Sequence, residues 1–473
     1  MSGQALFDRR MRALTYSPDL ADIRFGCGLS PVLAPPRDAQ ALLDGVLGPD
    51  TMAGRFPIES FETFNTRVQG LRDARAALRK AGTQETRKAR REVIRKISRA
   101  ANNARADWAA RTLLRWTHTE TGFRERLVAF WADHFTTVGK SALLRYANSA
   151  FVESAIRPHV GGTFPEMLIA ATTHPVMLDY LDQTASVGPN SPAAARRERL
   201  SGMNENLARE VMELHTLGVD GPYTQQDVRE FAELLTGLTY RPDRGLAYLQ
   251  GWAEPGAETV LGKTYGAEPR LAHIHEALTD LALHPSTADH IARKLAVHFV
   301  NDDPDPDLVA HLSARYRASG GDLPQVYAAL LEHPAAWAPR LSKVKPPLDF
   351  MGSALRALGV AEAAVSGLDF PAFRLTFFVP MSLMGQPWKS PSGPDGWPEE
   401  EAAWITPQSL SARLRWAMAV PQTLCDGLPD PRDFVGQALG GFATEPVRFA
   451  ASAAESRSEA IGLVLCSPAF QRR

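Results

Sequence analysis

Apolar residues recur along most of the chain at the spacing of an amphipathic helix, in which every third or fourth side chain shares one face. The segment "DAQALLDGVLGPD" predicts a short helix that ends at Gly48 and Pro49. A longer stretch, from about Glu59 to Thr117, is rich in Ala, Arg, Glu and Lys and contains few helix breakers. Further helices are predicted for the segments "FRERLVAFWADHF", "FPEMLIAATTHPVMLDYLD", "NENLAREVMELHTLG", "DVREFAELLTG" and "IHEALTDLALHPSTADHIARKLAVHFV".

Three irregular stretches interrupt this pattern. Residues 183–203 are polar and rich in Pro, Ser and Ala, and residues 240–268 favour a loop with a short hairpin. Residues 384–404, "MGQPWKSPSGPDGWPEEEAAW", place three tryptophans among prolines and glycines, and we call this stretch the Trp loop. Alternating strand patterns are rare elsewhere. The sequence therefore predicts an all-α, multi-helix globular fold with long irregular loops and at most a small hairpin.

We expect three helical regions, residues 1–118, 119–300 and 301–473, packed tightly as one unit. The 52 basic and 53 acidic residues nearly cancel, so no overall field attracts nucleic acid or a membrane surface. The basic run "RKARREVIRKISRA" is flanked by acidic residues, which favours the solvated face of a long helix over a nucleic-acid stripe. No apolar run reaches the roughly 20 residues that a membrane span requires.

The cysteines bear on the compartment. Cys27, Cys425 and Cys466 lie far apart, which argues against a disulfide framework or a zinc knuckle and suits a reducing environment. Arg9 and Arg10 form a twin-arginine pair, but no apolar segment follows them, so we predict no export signal. We therefore expect a soluble, cytoplasmic protein.

The densest polar motif is "NENLAREVMELHTLGV", which begins at Asn204. On a regular helix each residue advances about 100°, which places Asn206, Arg209, Glu210 and Glu213 on one face. His215 falls on the opposite, apolar face. A regular helix therefore cannot direct Glu213 and His215 at one metal ion.

Two interpretations of this polar stripe stay open. Arg209 stands four residues from both Glu205 and Glu213, so the stripe can be a solvated face with two weak ion pairs. Alternatively, the carboxylates of Glu210 and Glu213 converge as an acid–base pair, and the neighbouring guanidinium holds a ligand.

Aromatic residues supply further candidates. His134 shares the stripe of Phe130 and Trp131, where a histidine is either a hydrogen-bonded core residue or the general base of a site near the carboxylate helix. The tryptophans of the Trp loop, Trp388, Trp397 and Trp404, either form a platform for a sugar or cation or fasten the loop to the body.

An ordered set of motifs resembles a known bacterial family. The motifs are "RFGCGLSP", "ERLVAFWADHF", "HPVMLDYLD", "NENLAREVMEL", "YTQQDVREFAELLTGLTY", "IARKLAVHFV", "KVKPPLDF" and the Trp loop. Together they resemble domain of unknown function 1800 (DUF1800) from about Ile23 to the carboxyl terminus. The resemblance implies no assigned activity. It also implies a possible partner, because members are often encoded beside proteins of the domain-of-unknown-function 1501 (DUF1501) family.

The chain departs from the family pattern where relatives carry histidines. The family reads Phe-Trp-His-Asn-His-Phe in its aromatic helix, but this chain has Ala132 and Asp133 before His134. A histidine before the Pro-Gly step of a later loop is also missing, and Glu254 stands at that step. The remaining ligands are mostly carboxylates, which bind transition metals poorly. We therefore predict no metal site and leave the cofactor unknown.

The combined prediction is a polar cleft that binds a small polar or saccharide-like ligand. Glu210 or Glu213 would act as acid–base group, His134 as its partner and Arg209 as anion anchor. The full set of predicted ligand contacts is Asn204, Asn206, Arg209, Trp131 and Trp397. The alternative is a non-catalytic binding or assembly module that acts with a partner protein through its aromatic loop.

The missing histidines give a direct test. We expect elemental analysis of the purified protein to find no stoichiometric zinc, iron or copper, because carboxylates prefer harder ions. A full equivalent of any of these metals would contradict our interpretation of the motif.

Overall fold

The computed structural model describes residues 16–196 and 202–473. Arg9, Arg10 and residues 197–201 of the loop predicted over 183–203 lie outside the described residues. Helices dominate the described chain, which confirms the all-α prediction.

The first half of the chain contains twelve labelled helices within the described residues. They are α1 (Pro18–Leu20), α2 (Ala39–Leu47), α3 (Thr51–Arg55), α4 (Phe61–Arg79), α5 (Gln84–His118), α6 (Gly122–His134), α7 (Asn148–Phe151), α8 (Phe164–Thr172), α9 (Pro175–Tyr180), α10 (Pro192–Arg196), α11 (Asn206–Glu210) and α12 (Gln225–Leu235).

Two small hairpins follow, β1 (Leu238–Arg241) with β2 (Gly245–Tyr248), and β3 (Glu258–Val260) with β4 (Lys263–Tyr265). Leu261 and Gly262 form the second turn with φ values of 50° and 77°, as a two-residue turn with two left-handed positions requires. The sequence predicted at most one small hairpin here. The weak alternation of such short strands explains the difference.

Helices resume after the hairpins. They are α13 (Leu271–Ala282), α14 (Pro285–Phe299), α15 (Pro306–Ser319), α16 (Leu323–Glu332), α17 (Pro347–Ala357), α18 (Glu362–Ser366), α19 (Phe370–Phe373), α20 (Val379–Leu383), α21 (Glu401–Trp404), α22 (Pro407–Ala419), α23 (Pro421–Leu424), α24 (Pro431–Leu439), α25 (Glu445–Ala453), α26 (Arg457–Cys466) and α27 (Pro468–Gln471).

Several helices continue into other helical turns. Helices α1, α7, α11 and α19 run into the π-helical segments Ala21–Phe25, Val152–Ile156, Val211–Thr216 and Arg374–Phe378. Short 3₁₀ turns lie at Leu144–Tyr146, Arg157–His159, Gln183–Ala185, Gln250–Trp252, Pro334–Trp337 and Gly440–Phe442.

Local sequence signals explain many helix starts. Thr224 and Asp227 form a reciprocal capping box, and the helix ends before Gly237, which has a φ of +83°. Asp305 and Asp430 accept amide hydrogen bonds and precede a proline at the first helical position. These starts follow directly from residue chemistry.

The apolar side chains form two clusters that share α5. Trp108 packs in the first cluster, which surrounds α6 and extends to Trp337, whereas Leu113 and Leu114 pack in the second. The second cluster joins α5 to the helices from α17 onward. The predicted three-region division stays a prediction. Across the part of the chain that is described, no helix is both long and apolar enough to span a membrane.

The polar motif does not form the regular helix that we predicted. It is α-helical only over α11 and becomes a π-helix at Val211–Thr216. The rotation of about 100° per residue, from which the faces were predicted, therefore does not apply beyond Glu210. A π-turn leaves carbonyls that neighbouring groups satisfy: His290 Nε2 lies 3.1 Å from the Leu214 carbonyl, and His134 Nε2 lies 3.2 Å from the His215 carbonyl.

These histidines are held neutral. Burial and, to a smaller extent, the charge of Lys294 lower the pKa of His215 to about 3 and that of His290 to about 4. The pKa of His134 falls well below its ordinary value for the same reasons. The hydrogen bonds to the His215 and Leu214 carbonyls raise the pKa values of His134 and His290, but burial outweighs them.

The depressed histidine pKa values predict acid sensitivity. Between the folded and unfolded pKa values the unfolded chain binds more protons, so stability falls as the pH drops below about 6.5. We expect each histidine to cost about 2 kcal/mol at about pH 5 relative to neutral pH. Urea unfolding of wild type and His290→Gln, which keeps an amide donor, measures this difference. Equal pH dependence in the two proteins would contradict the assignment.

Candidate functional site

A cavity of about 110 Å³ lies where α6, α14, α17 and the Trp loop meet. This volume holds roughly ten water molecules or one compact small molecule. Its charged lining consists of Arg126, Asp133, His298, Asp349, Lys389, Glu399 and Arg473, and its aromatic lining of Trp116, Phe151, Trp388 and Trp397. So many charged groups, most of them buried, are uncommon around one cavity.

Helix α6 forms one wall of the cavity through a single face. Arg126, Ala129 and Asp133 are spaced at i, i+3 and i+7, so a regular helix places them in one row. The opposite face carries Phe123 and Leu127 into the first apolar cluster. The same 13-residue helix therefore supplies both core packing and cavity charge.

Asp133 fastens the Trp loop. The backbone N–H of Trp397 donates to both carboxylate oxygens of Asp133, at 3.0 and 3.2 Å. Burial and the nearby charge of Glu399 raise the pKa of Asp133 to about 7, although the Trp397 amide, Lys294 and Lys389 oppose the rise. Asp133 can thus exchange a proton near neutral pH.

A second titratable pair faces the same cavity. Glu399 Oε1 lies 2.5 Å from His298 Nδ1, and Lys343 Nζ lies 3.2 Å from Glu399 Oε2. Burial alone would raise the pKa of Glu399, but His298 and Lys343 outweigh it and lower that pKa to about 2. Burial also lowers the pKa of His298. A neutral His298 that donates Nδ1–H to Glu399 presents Nε2 as an acceptor, and Arg473 Nη1 lies 3.5 Å from that nitrogen.

Asp349 of α17 lies between two arginines. Arg126 Nη1 donates to Asp349 Oδ2, and Arg473 Nε lies 3.4 Å from the same oxygen. Arg473 is positioned by backbone hydrogen bonds with Lys343 in both directions, of 3.1 and 2.8 Å. All three ionic side chains are at least nine-tenths buried.

A family model described as "Protein of unknown function (DUF1800)" matches residues 23–472. The chain belongs to the DUF1800 family. This match confirms the resemblance drawn from the motifs over nearly the full length of the chain. A comparison with curated proteins and one with solved structures each gave no match.

In this DUF1800 protein, the predicted residues His134 and Trp131 lie on the side of α6 that faces the core. Trp131 donates its indole N–H to the Tyr327 hydroxyl at 2.7 Å, and its side chain is fully buried. The ring centroids of His134 and His215 are 5.8 Å apart. The predicted general base is therefore brought next to the π-helical segment, within the apolar core.

The predicted polar stripe of this family member is half-buried. Arg209 contacts Glu205 at 3.1 Å and Glu213 at 3.2 Å, and Gln225 accepts a further hydrogen bond from it. Burial, then the charge of Glu213, raises the pKa of Glu210, and Asp395 of the Trp loop raises it further. The stripe therefore borders the Trp loop.

The two predicted asparagines lie at the start of this stripe. The side chain of Asn204 accepts the backbone N–H of Asn206 at 2.8 Å, which organises the turn before α11. Asn206 is exposed, and Asn204 is half-buried. Their ligand-binding role stays a prediction, as does the role of the whole stripe.

Trp397 is the predicted residue that reaches the cavity. It is half-buried, lines the cavity and packs 6.3 Å, centroid to centroid, from Trp404. Trp404 is buried and donates its indole N–H to the Pro398 carbonyl at 3.0 Å, so it fastens the loop. Trp404 thus has the fastening role, and the role of Trp397 as a ligand platform stays a prediction.

Four further carboxylates lie away from the cavity, and they have two different environments. Glu254 accepts the Asn190 backbone N–H at 2.9 Å and thereby joins two loops. Glu230, Glu233 and Glu258 form an acidic cluster whose ligand atoms lie within 4.8 Å of one another. This cluster lies on α12 and β3.

Sequence reasoning missed most of the charged cavity lining. The i, i+3, i+7 row of Arg126, Ala129 and Asp133 is present in the motif, but the aromatic stripe beside it is the more prominent pattern. His298, Asp349 and Glu399 are not part of any motif in the sequence. Nothing in their local spacing shows that the fold brings them together.

Gly396 allows the Trp loop to approach Asp133. Its φ is +85°, and an added Cβ would lie 2.8 Å from the Asp133 carbonyl oxygen and 2.9 Å from its Cγ. We expect Gly396→Ala to displace the loop, because the backbone of Asp133 cannot yield as a flexible side chain does. Gly385→Ala is the matched control, since φ is +98° there and an added Cβ meets no atom within 4 Å.

Both substitutions carry the left-handed strain of roughly 1–2 kcal/mol. Urea unfolding should show a larger loss for Gly396→Ala than for Gly385→Ala, and the fluorescence of the Trp loop should change in Gly396→Ala. Identical losses would mean that contact with Asp133 does not hold the loop.

Proposed function

We propose that this DUF1800 protein binds a small polar, saccharide-like molecule in the cavity and carries out acid–base chemistry on it. The observation that supports this most is the pairing of two proton-exchanging systems around one partly open cavity. Asp133 lines one side, and His298 with its Glu399 partner lines another. Perturbed titratable groups in a cavity are typical of functional sites.

The geometry assigns complementary roles. His298 accepts a proton at Nε2, while Glu399 orients the ring and stabilises its protonated form. Asp133, with a pKa of about 7, is available as the proton donor. Trp388 and Trp397 offer apolar surface against which a sugar ring can pack. The reaction needs two groups in opposite protonation states, and these pairs supply them.

The stripe on α11 and its π-helical continuation is a second candidate site. In that proposal Glu210 or Glu213 is the acid–base group, His134 its partner and Arg209 the anion anchor. The raised pKa of Glu210 and its closeness to Asp395 support a link to the Trp loop. The two sites are distinguishable because different carboxylates serve each.

The non-catalytic alternative is an assembly module that acts with a partner, for which a DUF1501-family protein is the proposed candidate. Exposed leucines favour such a surface: Leu383 ends α20, and Leu410 and Leu414 lie one turn apart on the adjacent helix α22. We also propose a cytoplasmic location, supported by three unpaired cysteines.

Turnover in D₂O tests the catalytic proposal. We expect wild type, incubated with monosaccharides, sugar acids and small hydroxy acids, to exchange a C–H proton or cleave a bond, read by ¹H NMR. Asp133→Asn and His298→Asn should lower the rate by about 10²–10⁴-fold, the usual contribution of acid–base groups. Asp44→Asn, at an exposed carboxylate of α2, is the matched control.

The competing sites give opposite results. Loss of turnover in Glu210→Gln or Glu213→Gln, with Asp133→Asn unaffected, would move the chemistry to the α11 stripe. Carbon NMR of labelled aspartate provides an independent check, since the Asp133 carboxyl should titrate near pH 7. A carboxyl pKa near 4 would contradict its role as proton donor.

The raised pKa of Asp133 also affects stability. Its folded pKa exceeds the unfolded value of 3.8, so ionising it costs folding free energy as the pH rises from about 4 to about 7. Asp133→Asn should remove a cost of up to about 4 kcal/mol over this range while its amide oxygen still accepts the Trp397 N–H. Urea unfolding at both pH values measures the change.

A further inference from the structure

The unpartnered polar atoms around the cavity are all hydrogen-bond donors. Within residues 16–196 and 202–473, the cavity-lining side-chain atoms that are buried without a hydrogen-bond partner are Arg126 Nε and Nη2, Trp388 Nε1 and Arg473 Nε. Each belongs to a side chain that is at least nine-tenths buried. A buried donor without an acceptor costs free energy, so a group of them favours a ligand that supplies acceptors.

Arg126 presents a complete fork. Its Nη1 donates a hydrogen bond to Asp349. The Nε and Nη2 atoms lie together on the other edge of the guanidinium, and neither has an acceptor among the described residues. Two parallel N–H donors match the two oxygens of a carboxylate, phosphate or sulfate. Trp116 lies under the guanidinium, 5.5 Å from ring centroid to Cζ, and fixes its plane.

The charge balance favours an anion as well. Asp349 is surrounded by Arg126, Arg473, Lys345 and Arg413, and all five side chains are at least nine-tenths buried. Arg413 donates to the Lys345 carbonyl and to Gln471, so neutral acceptors satisfy it without adding negative charge.

Asp349 is the one carboxylate in this group of five side chains, because the other two carboxylates of the lining bond elsewhere: Asp133 to the Trp397 amide, and Glu399 to His298 and Lys343. Excess buried charge of one sign is costly unless it is neutralised. Burial lowers the pKa of Lys345 to about 8; the charge of Asp349 opposes this shift, and those of Arg126 and Arg413 add to it. An anionic group in the cavity would relieve this cost.

We propose that the cavity binds an oxyanion-bearing small molecule, with the Nε–Nη2 edge of Arg126 holding two of its oxygens and Trp388 and Arg473 donating to it. The shared chemistry is a group with two adjacent negative oxygens, planar or tetrahedral. The inference deepens the proposed function by naming the class of its ligand. It rests on the same cavity, but it requires no reaction.

Anion binding to the full chain tests this inference directly. Thermal unfolding and calorimetry are measured with acetate, glucuronate, phosphate and sulfate, each against chloride at matched ionic strength and pH. We expect a saturable rise in the melting temperature with at least one oxyanion. The carboxylate and the phosphate–sulfate arms then show whether the bound group is planar or tetrahedral.

Variants locate the binding site. Arg126→Gln should weaken oxyanion binding by about tenfold or more, because a charged hydrogen bond is lost. Arg126→Lys keeps the charge but not the fork and should also bind more weakly, and Trp388→Phe should lose a smaller part of the affinity. Arg415→Gln, at an exposed arginine on α22, should bind as wild type does.

Two results would overturn the inference: no oxyanion stabilises the wild-type protein beyond chloride, or Arg126→Gln binds as tightly as wild type. If Arg126→Gln fails to fold, Arg126→Lys and Trp388→Phe decide, and unchanged affinity in both overturns it. Oxyanion binding itself requires no turnover. Anion binding without turnover would therefore count against the catalytic proposal alone, and turnover without anion binding would count against this inference alone.

Discussion

Three consecutive charged residues of α6 each bind a different segment of the chain, and the rest of the structure depends on these three contacts. Arg124 donates to backbone carbonyls at the end of α2, among them Val46 at 2.7 Å. Glu125 pairs with Arg157 at 2.6 Å, and Arg126 pairs with Asp349 of α17. All of these charges are deeply buried, so each needs its partner to remain there. Helix α6 thereby fixes the position of segments from both halves of the chain.

This arrangement explains why the cavity lies where it does. A helix whose other face packs in an apolar core cannot move its charged face away from neighbouring elements. The Arg126–Asp349 pair sets the distance between α6 and α17, and the Trp loop covers the gap by bonding to Asp133. The cavity is what remains between rigid elements that are joined by ionic contacts, so its shape is largely preformed.

The fold class was predictable because helical periodicity and caps act locally. The capping box at Thr224 and the helix before Gly48 follow from residues within one or two turns. The cavity was not predictable in the same way, since Arg126 and Asp349 are 223 positions apart. Local spacing carries no information about which distant charge will meet which. A row of charged residues on an otherwise apolar helix was the one available sign.

The placement of the candidate stripe shows a related limit. Glu210 is half-buried, and the charge of Asp395 in the distant Trp loop segment contributes to its raised pKa, which local spacing does not reveal. The sequence correctly separated His215 from the polar face, because apolar neighbours mark that side of the helix. It did not reveal the change from α- to π-helix, since that change depends on donors from His134 and His290.

The π-helical segment has a consequence for how the chain tolerates changes in length. A turn closed from i to i+5 contains one residue more than a turn closed from i to i+4, so it shifts the register of every side chain that follows. Deleting one residue within Val211–Thr216 would restore an ordinary helix and rotate the remainder of the segment. The two imidazoles would then face side chains instead of carbonyls. The length of this segment is therefore constrained by partners on α6 and α14, whatever its own residues are.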